Sequence, residues 1–124
     1  MSEDARQLIA TAVNSVLEEV PALKPLKLVF GVDLNGRGDI QQFRVELPDV
    51  TVTKDMGLDA RIRVEMQRPF FNTMIEHGAK IEDWREAFMY GQAKATGNTQ
   101  FLKLIKTVVG KQMERDRLRR SKQH

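Results

Sequence analysis

The sequence predicts an α+β fold: a five-stranded, mostly antiparallel sheet with one face covered by helices. Three observations lead there. Apolar residues near the N-terminus recur at helical spacing. Residues 26–66 then alternate apolar and polar with a period of two. The rest returns to helical spacing around one short, glycine-bracketed strand. A sheet with one wet and one apolar face needs a cover, and only the helices can supply it.

The first helix carries Ala5, Leu8, Ile9, Ala12, Val13, Val16, Leu17 and Val20 on one face. Ser2 suits its cap, and Glu3 and Asp4 suit its positive end. Pro21 and Pro25 punctuate the exit. Leu26, Leu28, Phe30, Val32 and Leu34 then alternate with Lys27, Val29, Gly31 and Asp33, which predicts a strand. "NGRGD" is turn chemistry, and Phe43, Val45 and Leu47 form the returning strand of a hairpin. Val50 and Val52 open a third strand after Pro48. "KDMGLD" reads as a turn into a fourth, with Ala60, Ile62, Val64 and Met66 inward. The pattern is that of a four-stranded meander.

Pro69 then fits a first helical position, with Phe70, Phe71, Met74 and Ile75 as the apolar patch and Gly78 as the stop. A short helix over about 82–90 presents Trp84, Ala87 and Phe88. Gly91 and Gly97 bracket the fifth strand, and Asn98 can cap a last helix. That helix offers Phe101, Leu104, Ile105, Val108 and Val109, and is expected to fray past Gly110. The organisation is thus one domain over 1–110 and a basic, frayed tail over 111–124.

At 41% hydrophobic and 30% charged, the 124 residues have the composition of one soluble domain. The charge is uneven. Residues 111–124 hold six Lys/Arg against two acids, and the remainder 14 against 15. The basic surplus belongs to the tail, so no nucleic-acid partner is expected. There is no cysteine, no signal-peptide layout and no span-length apolar run, and a cytoplasmic location is expected.

Chemical motifs fail on inspection. "GQAKATGN" resembles a phosphate loop, but five residues separate its glycines and Asn98 stands where the lysine must be. No strand–helix–strand unit opens the chain, so a dinucleotide fingerprint lacks its setting. A calcium loop beginning at Asp33 puts Arg37 and Arg44 where oxygen ligands are required. Arg37-Gly38-Asp39 matches an adhesion tripeptide, but turn chemistry accounts for it. His77 and His124 are remote from each other, and His77 reads as a helix-end cation. No catalytic residue, metal site or cofactor is expected, and the protein is read as a non-enzyme.

The stretch from Asp59 to Val108 resembles the sterol carrier protein 2 (sterol-transfer domain) family. The likeness lies in a strand over 60–66, a short aromatic and aliphatic helix at Phe70 to Ile75, a glycine-bracketed strand at Gly91 to Gly97, and a terminal amphipathic helix. The element order agrees over about residues 3–110, the motifs over about 60–109. The resemblance implies a carrier without bond chemistry. It implies an apolar cavity between sheet and helices for a sterol, fatty acid or acyl-CoA. Phe70, Phe71, Met74 and Ile75 would form one wall, Trp84 and Phe88 a second, and Phe101, Ile105, Val108 and Val109 the lid. A non-catalytic accessory or protein-interaction module with the same fold and no lipid is the alternative.

Two features are left open. Ala93 and Ala95 share a face of the fifth strand, where small residues either allow close packing or leave a void. The basic tail either contacts an anionic membrane transiently or is a solvated end.

Overall fold

The computed structural model describes residues 5–121. The proposed cap at Ser2, with Glu3 and Asp4, lies outside the described residues. Helix α1 (Ala5–Glu19) turns Ile9 and Leu17 into the core. A single 3-10 segment, Pro21–Leu26, follows it. The strands are β1 (Val29–Asn35), β2 (Ile40–Glu46), β3 (Thr51–Thr53), β4 (Ile62–Gln67) and β5 (Ala93–Gly97). The remaining helices are α2 (Arg68–Glu76), α3 (Ile81–Met89) and α4 (Thr99–Ser121).

The sheet order is β3-β2-β1-β4-β5. Three of its four pairings are antiparallel, and β1 with β4 is parallel. The expected meander is therefore corrected. β4 does not pair with β3; residues 54–61 carry the chain back across the sheet to the far side of β1. Alternation marks which side chains face the core, but it does not name a strand's neighbour.

Strand starts also move, the fourth from Ala60 to Ile62 and the fifth from the Gly91 side to Ala93. The strand expected from Leu26 begins at Val29, because the two prolines hold the approach as a 3-10 turn. Lys27 then takes φ 50° before pairing begins. The third strand is short, since Val50 sits at φ 52° and only Thr51 to Thr53 pair.

The polar face of the sheet is also less wet than alternation predicts. Asp33 is 7% exposed. Arg63 donates to its carboxylate at 2.6 Å and also to the carbonyls of Met56 and Gly57. Gly31 makes room: a Cβ there would lie 2.8 Å from the Arg63 guanidinium. Arg44 grips Asp59 with two nitrogens, at 2.8 to 3.2 Å. These two arginines hold the 54–61 crossover against the strands it passes. The Asp59 carboxyl is kept below the usual aspartate range, first by the hydrogen bonds from Arg44.

The core lies on the other face. Val45, Leu34, Val32 and Phe43 are buried there with Ile9, Leu17, Phe71, Trp84 and Ala93. Local chemistry places the helices over it. Pro69 occupies the first turn of α2. The Glu19 carboxylate accepts from the Ile81 N–H at 2.7 Å, so the end of α1 caps the start of α3. Asn98 Oδ1 accepts from the N–H groups of Gln100 and Phe101, as expected of the α4 cap. α4 does not end near Gly110; it continues as one helix to Ser121. A single glycine costs a helix about 1 kcal/mol relative to alanine, too little by itself to stop one.

Candidate functional site

The apolar face of the sheet consists of three cross-strand rows. One runs Val52, Val45, Phe30, Ile62, Gly97; the middle one runs Phe43, Val32, Val64, Ala95; the third runs Leu34, Met66, Ala93. Helices cover these rows unequally. The third row is buried along its length, at 1%, 6% and 2%. The middle row grades from buried to open: Phe43 and Val32 are buried, Val64 is half-buried and Ala95 is exposed.

The opening at Val64 and Ala95 has a physical cause. α3 packs on β5 and joins the core through Trp84 and Ala87, which closes the Ala93 end. At the other end the chain must leave β5 for α4. Gly97 makes that exit at φ 126°, with the Asn98 N–H donating to the Arg61 carbonyl. A Cβ at Gly97 would collide with that same carbonyl oxygen, so glycine is required by space as well as by φ. α4 then touches both β5 and the 3-10 segment. It packs loosely: Phe101, Leu102, Ile105, Val108 and Val109 are all half-buried, and none of its described residues is fully buried.

The ten residues expected to line a cavity divide accordingly. Phe71 and Trp84 are core, with ring centroids 6.4 Å apart. Phe70, Met74, Ile75, Phe101, Ile105, Val108 and Val109 are half-buried and pack against that core. Phe88 stands apart at 40% exposure. Val64 and Ala95, the open floor, were not among the ten. Their signal was present in the sequence as a valine and an alanine facing inward, but their lateral neighbours depend on which strands pair.

The question of the two alanines has a split answer. Ala93 is closely packed, while Ala95 opens on space. Lys94 between them points to solvent on the polar face.

Arg61 lies at the Gly97 end, its guanidinium 5.1 Å from the centre of the Phe101 ring. Two hollows lie elsewhere. One of about 550 Å³ is bordered by Arg44, Asp55, Met56, Leu58 and Asp59, and one of about 340 Å³ by Arg6, Gln7, Ala10, Val50 and Val52. Both are open to solvent, and neither is lined by any of the ten residues. Among the described residues no three His, Asp or Glu side chains cluster to hold a metal ion. No described helix is long and apolar enough to cross a membrane.

The sequence matches no protein-family model and no curated protein at a significant level. The fold is nevertheless shared with solved structures. Sterol carrier protein 2-like 2 from Aedes aegypti matches with a TM-score of 0.52 and 16% identity, over 82% of this chain and 96% of that one. Its palmitated form in solution matches at 0.53 and 16%, over 82% and 93%. Sterol carrier protein 2 from Yarrowia lipolytica, in its apo form, matches at 0.53 and 21%, over 85% and 86%. The chain therefore has the sterol carrier protein 2-like fold over most of its length.

Proposed function

We propose that the protein is a small lipid-binding carrier. Its ligand, a sterol, a fatty acid or the acyl chain of an acyl-CoA, would lie on the open floor at Val64 and Ala95 beneath the apolar side of α4. The observation that carries this reading is the middle row of the sheet. It passes from buried Phe43 to exposed Ala95, while the neighbouring row through Leu34, Met66 and Ala93 is buried. An apolar floor beside a loosely seated amphipathic helix is a place where a ligand can supply the missing contacts. The palmitated structure of the mosquito relative supports an acyl chain as the occupant.

Each methylene moved from water to this floor would contribute about 0.8 kcal/mol before the costs of ordering are subtracted. Phe101, Ile105, Val108 and Val109 would close over the chain. Phe70, Met74 and Ile75 would border it from α2, with Phe71 and Trp84 as the rigid backing and Phe88 at the rim. Arg61, beside the Phe101 ring at the Gly97 end, would meet an anionic headgroup. The reading assigns no bond chemistry and no cofactor.

Native mass spectrometry before and after organic extraction, with displacement of a fluorescent fatty acid, tests the reading. Co-purified lipid and saturable displacement are expected. Ile105→Trp should fill the space under α4 and abolish probe binding while the circular dichroism is retained. If neither lipid nor probe binds, the carrier reading falls and a lipid-free interaction module takes its place.

A further inference from the structure

The exposed surface of α4 has its own pattern. The helix carries Lys103, Lys106, Lys111, Arg115, Arg117, Arg119 and Arg120, all exposed, against two acids, Glu114 and Asp116. Asp116 is half-buried on the packed side and accepts from the Gln112 amide at 3.1 Å. Only Glu114 is left among the cations, and it pairs with Arg117 at 3.8 Å, the one ion pair on α4 among the described residues.

Two leucines interrupt this basic surface. Leu104 and Leu118 are 41% and 49% exposed. With Lys111 they fall at seven-residue intervals, so the three stand on one line that drifts only about 20° per interval. The packed side of the helix is Phe101, Ile105, Val108 and Val109, and these leucines do not belong to it. Folding has already used the other face, which leaves this one unexplained by packing.

We propose that the outer face of α4 docks on an anionic lipid bilayer, with Leu104 and Leu118 entering the headgroup boundary and the surrounding Lys and Arg on the lipid phosphates. The physics is that of an interfacial helix: a modest apolar insertion joined to cation–phosphate attraction. Charge complementarity selects the occupant. A second copy would oppose cations with cations. A nucleic acid would satisfy the cations but leave the two leucines with no apolar partner. The exposed stripe of Leu104, Lys111, Arg115 and Leu118 contains none of the residues assigned to the ligand, so the proposal stands independently of the carrier reading.

Co-sedimentation of the full chain with phosphatidylcholine vesicles, with and without phosphatidylglycerol, tests it. Binding should appear only with the anionic lipid and weaken as salt is raised. Replacing Lys103, Lys111 and Arg115 together with Gln should lower partitioning about a hundredfold, at roughly fivefold for each cation. Leu104→Ser with Leu118→Ser should weaken binding several-fold at unchanged charge. All five residues are exposed, so thermal unfolding should not move, which separates docking from misfolding. Equal binding to neutral vesicles, indifference to the charge variant, or salt-sensitive binding to duplex DNA with none to vesicles would each overturn the proposal. Failure to bind the fatty-acid probe would leave this result untouched.

Discussion

Ala93 and Ala95 sit two residues apart on the same face of one strand, and their surroundings differ completely. Ala93 is 2% exposed in the cluster that holds Trp84 and Ala87, whereas Ala95 is open. The contrast extends across the sheet. Around Leu34 and Phe43, α1 and α2 contribute to a dense core; on β5, α4 rests on half-buried contacts. One sheet face thus contains a densely packed region and a loosely covered one. Stability and binding can therefore be perturbed separately, which makes the contrast testable.

The largest effect is expected in the dense region. Leu34→Ala should cost about 2–5 kcal/mol, a buried large-to-small loss, as read from urea unfolding. Val64→Ala removes a half-buried side chain and should cost less than about 1.5 kcal/mol. Equal losses at the two sites would erase the distinction. Ala93→Trp should overpack the α3 end and cost about 3 kcal/mol or more, whereas Ala95→Trp should leave the unfolding midpoint nearly unchanged. If the floor holds a ligand, Ala95→Trp should also displace a bound fatty-acid probe. Gly97→Ala tests how the open region is made. The collision with the Arg61 carbonyl and the φ of 126° should cost about 1–3 kcal/mol and shift the start of α4, visible in amide exchange at Gln100 and Phe101.

The smallest effect belongs to the polar face. Asp59 has a lowered pKa in the folded chain, so its pairing with Arg44 stabilises the fold above the ordinary aspartate value. That contribution is lost as the pH falls through the lowered value. Asp59→Asn should flatten this acid-side slope of stability and change little at neutral pH, because the pair is solvent-screened. An unchanged acid limb in the variant would assign the slope to other carboxylates.

Much of this arrangement was legible in the sequence. The helical face of α1, the proline at the start of α2, the Asn98 cap and the inward residues of β4 all appear where spacing and local chemistry put them. The nine residues other than Phe88 that were expected to line a cavity join or pack on the core. Two of the errors share a cause, contacts between residues far apart in the chain. The meander failed because β4 could satisfy its alternation against either edge, and only the 54–61 crossover with its two arginine clamps selects β1. Asp33 was expected in water because its cover, Arg63, lies thirty residues away in sequence. The end of α4 was misplaced because Gly110 was given more weight than a glycine inside a packed helix has.

The amino-acid sequence alone determined which faces are apolar, where helices start, and that α4 is basic, since these follow from spacing and side-chain chemistry within a few residues. It did not determine which strand lies beside which, nor how closely a helix seats on the sheet. Those depend on pairings between residues far apart in the chain and on whether side-chain volumes fill the space between layers. That is why Ala93 and Ala95, equivalent in the sequence, became a packed residue and an open floor only in the tertiary structure.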